Sequence, residues 1–228
     1  LRWAGALRAD PAHEQADELN ALLALSKADE RRFALALDED EKAAAADPGA
    51  AAAFIGWLSG TGHGSEALRW ARSLPADLTG HPPVVVAVAD ALRLAGDWPA
   101  LRDWSASGTW EKLDLVRQAY AALAYRGLGA TDRADELWRG LRNSSRVNGG
   151  QALFLAGLLY TWGWKDEAVE LWWLAAGRPA LALNALGALA RHYQVQRDAD
   201  GELRAFRQLH DLRAHDPAIA NNFAYLAA

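Results

Sequence analysis

The stretch Gln151–Ala176, QALFLAGLLYTWGWKDEAVELWWLAA, decides the fold. It reads as an apolar helix, a tight corner at Gly163 and a second helix starting near Lys165. A helix with a single apolar stripe has to cover that stripe, so two such helices joined by a short corner pack as an antiparallel hairpin. The same arrangement recurs along the chain. Gly62, Gly96, Gly129 and Gly163 head GHGSEAL, GDWPALR, GATDRAD and GWKDEAV, at separations of 34, 33 and 34 residues. One further step of 34 lands on Arg197, opening RDADGELRAF, where the glycine is replaced but a corner is still expected. A sustained period of this size marks stacked helical hairpins.

Residue size tests the register, because closely crossing helices need a small side chain at the crossing. Five residues past the corner glycines stand Ala67, Leu101, Ala134 and Ala168. Twelve residues before those come Ile55, Ala89, Ala122 and Ala156, and the series continues to Ala190 and Ala224. Phe54, Val88, Ala121, Leu155, Leu189 and Phe223 precede them as apolar partners, and Ala71, Ser105, Trp138, Trp172 and Phe206 stand at one shared position of the second helices.

This pattern resembles the tetratricopeptide repeat family over roughly residues 48 to 228. The large residue usual at the start of that family's first helix is reduced here to Ala51, Val85, Gln118, Ala152 and Leu186, so the resemblance rests on spacing and small residues. It implies an all-α fold, a right-handed α–α superhelix of about six hairpins whose first helices line a concave, partner-binding face.

The expected organisation is one array over 1–228. Residues 1–11 form the tail of a preceding repeat, 12–47 an aberrant hairpin, 48–216 the regular repeats and 217–228 an unpaired last helix. The chain opens on Leu1 rather than Met and reads as a fragment of a larger, bacterial-type protein. Within it, Asp29 is expected to cap the second helix of the first hairpin, Ser65 the helix to Leu74, and Asp97 the helix from Trp98. The run Asp38–Glu41 reads as a solvated outer face, and Asn143 to Gly150 as a polar link between hairpins.

Net charge is −5 with acids and bases interspersed, which leaves no footprint for nucleic acid. With no cysteine, disulfides and thiolate metal sites are excluded, and the compartment stays open between cytoplasm and periplasm. The uncharged run from Val147 to Trp164 is long enough to raise a membrane question, but it fits the repeat register and reads as a buried helix. Eleven tryptophans at helical spacing read as packing wedges rather than a cofactor box. The loop GTGHGS has no strand before it and matches no nucleotide fingerprint. His13 with Asp17, and His210 with His215, fall short of a metal site. Asn143-Ser144-Ser145 formally fits a glycosylation sequon, with nothing else pointing to secretion. No nucleophile elbow or paired carboxylates appear, so the reading is non-enzymatic and without a cofactor.

The groove positions that the resemblance implies are Asp90, Arg93, Tyr120, Arg126, Tyr160, Arg191, Gln194, Asn221 and Tyr225. Val86 with Asp90, and Ala119 with Leu123, stand where some family members carry a basic-and-amide clamp for a terminal carboxylate, so that clamp is not expected. A mixed apolar and tyrosine-bearing groove suits an extended peptide or an amphipathic helix of a partner protein. The alternative is a structural segment that self-associates or stacks on a neighbour through its terminal helices, the uncharged last helix above all.

Overall fold

The computed structural model describes residues 15–107 and 110–227, and they are helical with no strand among them. The expected tail at 1–11 and His13 lie outside the described residues. The chain falls into two compact units, one ending at Ala134 and the other beginning at Asp135, where the sequence reading drew a single array.

The first unit opens with a hairpin of α1 (Gln15–Ala28) and α2 (Glu30–Ala44), separated by Asp29 alone. The Asp29 carboxylate accepts the Arg32 amide at 3.0 Å, the cap that the sequence implied. Asp47 does the same for Ala50 at 2.7 Å and starts α3 (Pro48–Gly60), with Pro48 in the first turn where its missing N–H costs nothing. Then follow α4 (Gly64–Ser73), the single turn α5 (Ala76–Thr79), α6 (Val84–Ala95) and α7 (Trp98–Ala106). A 3₁₀ turn at Glu111–Leu113 leads into α8 (Asp114–Gly127), and α9 (Thr131–Val147) crosses the boundary.

The second unit holds α10 (Gly149–Thr161), α11 (Lys165–Ala176), α12 (Pro179–Gln196), α13 (Ala199–Leu212) and α14 (Pro217–Ala227). Each of these helices packs on the next in chain order, so hairpins α10–α11 and α12–α13 share a continuous interface and α14 closes on α13.

One device builds all five periodic corners. Gly62, Gly96, Gly129 and Gly163 have φ of 90°, 68°, 75° and 84°, and Arg197 takes φ 57° in the same place. The residue after each donates its amide to the carbonyl five positions back. These bonds are His63 to Leu58, Asp97 to Leu92, Ala130 to Tyr125, Trp164 to Leu159 and Asp198 to Tyr193, at 2.8–3.0 Å. This is the left-handed helix end that glycine favours, because it has no Cβ to crowd the turn. The period therefore located a corner that composition alone would miss at Arg197.

The small-residue register is the core. Ile55, Ala89, Ala122 and Ala156 are fully buried, as are Ala67, Leu101, Ala134 and Ala168. Trp70, Trp110, Trp164 and Trp172 are buried too, and the Trp104 indole donates to the Val85 carbonyl at 3.0 Å. Among the described residues no helix is long and apolar enough to cross a membrane.

Three local expectations change. Ser65 does not cap α4: the helix starts one residue after His63, and the Ser65 hydroxyl turns to Glu66 at 2.8 Å instead. The link at 143–150 shrinks to Asn148, because α9 runs on to Val147 and the Asn148 side chain at once accepts the Gln151 amide at 3.2 Å. The acidic run splits by helix period: Asp38 and Glu39 are exposed, whereas Asp40 and Glu41 turn inward and Glu41 pairs with Arg69 at 2.5 Å.

Candidate partner-binding cleft

The second unit carries a cleft of about 480 Å³ between α12, α13 and α14. Its long wall is one stripe of α12: Leu183, Asn184, Gly187, Ala190, Arg191 and Gln194. These recur every three or four residues and so share a helix face. From α13 and the loop beyond come Glu202, Phe206, Leu209 and Arg213, and from α14 come Ile219 and Asn222.

The helices that bear these residues are held by named contacts. Asp198 caps α13 by accepting the Gly201 amide at 2.9 Å, next to the Arg197 corner. Gly201 lies against the Tyr193 ring so closely that a β-carbon there would run into it. The Tyr193 hydroxyl accepts the Trp173 indole N–H at 3.0 Å, and the Arg204 guanidinium lies 3.8 Å from the centre of the same Trp173 ring. Asp216 caps α14 through the Ala218 and Ile219 amides, and His210 stacks on Phe223 at 5.0 Å. No residue of α14 is buried, so it is the least committed wall of the cleft.

Gly187 sits mid-helix in the wall. Helix interiors disfavour glycine by about 1 kcal/mol relative to alanine, so a packing reason is sought first. None is found: a β-carbon here would meet only Arg191 Nη1, at an ordinary 3.7 Å. Gly187 leaves its place in the cleft lining without a side chain.

The cleft's large apolar lining residues are Leu183, Phe206, Leu209 and Ile219, and its polar groups are three amides, two guanidiniums and one carboxylate. Neither Arg191 nor Arg213 has an ion pair or a side-chain hydrogen bond among the described residues. Such a surface binds by apolar contact with a few polar groups that fix direction. Among the described residues no group of three or more histidines, aspartates or glutamates is placed to hold a metal.

Of the residues singled out by sequence, Arg191 and Gln194 line this cleft. Asn221 is exposed on α14 beside it without lining it, whereas its neighbour Asn222 does line it. Tyr225 is 82% exposed and lies outside. Tyr160 belongs to an aromatic cluster, with its ring 5.0 Å from Trp172 and 5.6 Å from His192 and its hydroxyl 3.4 Å from His192 Nδ1. Burial, together with the charge of Lys165, holds the His192 pKa below the usual histidine value.

In the first unit Asp90 and Arg93 pair with each other at 2.7 Å, and Arg126 is half-buried in the last turn of α8. Tyr120 is a correction. It is 1% exposed, its ring lies 5.9 Å from Trp110 and its hydroxyl is within 3.4 Å of Asp90. Burial and the Asp90 charge push its pKa far up, so it stays a neutral core side chain and cannot contact a partner.

Sequence reasoning missed Glu202, Phe206 and Arg213 because it drew the groove from first helices alone. The stripe Phe206, Leu209 and Arg213 was visible at helical spacing, but its facing α12 depends on the angle between two helices. No family model matches the chain, and no curated protein matches it.

Proposed function

We propose that the protein is a non-enzymatic interaction module, a divergent array of the tetratricopeptide type, that holds a segment of a partner protein in the α12–α14 cleft. The observation that carries this reading is the cleft itself: an open trough of mixed apolar and polar lining whose α12 stripe has a glycine at its middle that no packing demands. The stripe from Leu183 to Gln194 is about 16 Å long at the helical rise per residue. That length accommodates about five residues of extended chain. The amides of Asn184, Gln194 and Asn222 supply donors and acceptors for a peptide backbone that leaves its own pairs behind.

A variant that fills the trough tests the reading. Gly187→Trp places an indole in the cleft while removing a helix-weakening glycine, so the fold is retained. Peptides selected from a displayed random library on the unaltered protein are expected to lose binding to Gly187→Trp. Undiminished binding to that variant overturns the proposal.

A second reading has its own observation. Helix α14, which has no buried residue, and the 82% exposed Tyr225 fit a helix that stacks on another copy. Sedimentation of the protein beside a Tyr225→Asp, Leu226→Lys variant separates the two readings. A dimer abolished by those changes favours self-association, and a monomer at high concentration favours the cleft.

A further inference from the structure

We infer that the segment held by the cleft is acidic: an internal, extended stretch that sets a carboxylate against Arg191 and Arg213 and lays apolar side chains on Phe206, Leu209 and Ile219. This rests on the reading of the cleft as a partner site and names the chemistry of its occupant.

Charge complementarity carries the inference. In this chain of net charge −5 some arginines pair with carboxylates, Arg69 with Glu41, Arg93 with Asp90, Arg117 with Asp114 and Arg142 with Glu170, at 2.5–2.7 Å, whereas others such as Arg72, Arg197 and Arg207 have no ion pair among the described residues. Arg191 and Arg213 stand on different elements, line the same trough and have no such partner among the described residues. A guanidinium presents a planar fork of N–H donors that matches a carboxylate in two parallel hydrogen bonds. Glu202 is the one carboxylate in the lining, and it makes no ion pair with either arginine. Its charge repels a dianion more than a monoanion, which favours a glutamate or aspartate side chain over a phosphate. It also offers an acceptor to the N–H groups of the bound chain.

The acid belongs to a side chain rather than to a chain end. The wall continues past Arg191 in both directions, to Asn184 on one side and Gln194 on the other, so a segment can run through the trough instead of stopping at the guanidinium. Because both arginines are exposed, the pairing is screened by salt, and affinity should fall as ionic strength rises.

The test uses a displayed library of random peptides flanked on both sides by glycine–serine linkers, so that no terminus supplies the carboxylate. Selection is run on the full chain, on Gly187→Trp, on an Arg191→Gln, Arg213→Gln variant and on its Arg191→Lys, Arg213→Lys counterpart, with circular dichroism reporting that each is folded. Binders to the unaltered chain are expected to be enriched in Asp and Glu between apolar residues. They should bind about tenfold more weakly to the Gln variant, bind measurably to the Lys variant, and fail on Gly187→Trp. Phosphoserine in place of the selected acid should not strengthen binding.

Binders that Gly187→Trp excludes, but that carry no acid or ignore the Gln substitutions, overturn the acidic occupant and leave the cleft reading standing. A gain of about tenfold or more with phosphoserine overturns the carboxylate assignment. Binders indifferent to Gly187→Trp, or a selection that yields nothing above an unrelated protein, overturn both.

Discussion

Replacing Arg197 by glycine should stabilise the protein, although it deletes a long side chain. Arg197 occupies a left-handed corner at φ 57°, where the four homologous corners carry glycine at φ 68–90°. A side chain in that region costs about 1–2 kcal/mol through contact of Cβ with the following carbonyl. Against this, glycine gives the unfolded chain more freedom, which takes back about 0.4–1 kcal/mol. Arg197 is exposed and makes no ion pair or side-chain hydrogen bond among the described residues, so its loss forfeits little else. The net expectation for Arg197→Gly is a gain of about 0.5–1 kcal/mol.

The mirror experiment is alanine at Gly96, Gly129 or Gly163. A β-carbon there meets no atom within 4 Å, so the cost is backbone strain alone. Each should lose about 0.5–1 kcal/mol. Urea unfolding followed by circular dichroism reads both signs, with the slope against denaturant unchanged. A destabilising Arg197→Gly, or an Ala at Gly163 that stabilises, would show that the corners do not share this geometry.

Other expectations follow from single contacts. Ala168 is fully buried at its crossing, so Ala168→Leu should overpack it and cost about 1–3 kcal/mol in the same unfolding assay. Gly201→Ala should push Tyr193 off its place, seen as a loss of near-ultraviolet signal from Trp173 and as lower stability, whereas Gly157→Ala meets open space and should stabilise by about 0.5–1 kcal/mol. His192 has a folded pKa below its ordinary value of 6.5, so the unfolded chain takes up its proton first as pH falls. Its contribution to stability is therefore complete above pH 6.5 and declines as pH drops below it, a dependence that His192→Phe should flatten in unfolding curves taken at several pH values.

What the sequence made legible is what repeats. A left-handed corner needs glycine almost every time, so four glycines at one period mark four helix ends, and the period carries the fifth to Arg197. A crossing needs a small residue, so the alanines at 89, 122, 156 and 168 locate the core. Single residues were less legible where two physical demands compete. Ser65 has cap chemistry but lies one residue past the helix start, and Tyr120 sits on a first helix, as a groove residue would, but is drawn inward by Asp90 and Trp110. Asn143 to Val147 is polar enough for a loop, yet the turn chemistry of Asn148 suffices to end one helix and begin the next. Of the cleft, Arg191 and Gln194 on α12 followed from the repeat register. The rest depends on how α13 and α14 are set against it, which no spacing within one helix encodes.

Amide hydrogen exchange, with and without a peptide selected on the unaltered protein, tests the central claim most directly. Helix α14 has no buried residue and should exchange quickly in the free protein. On binding, slowed exchange should appear in α14 and along 183–196 and 202–213, with the first unit unchanged. Protection confined to the first unit, or absent from α14 at saturating peptide, would contradict the assignment of the cleft as the site of partner binding.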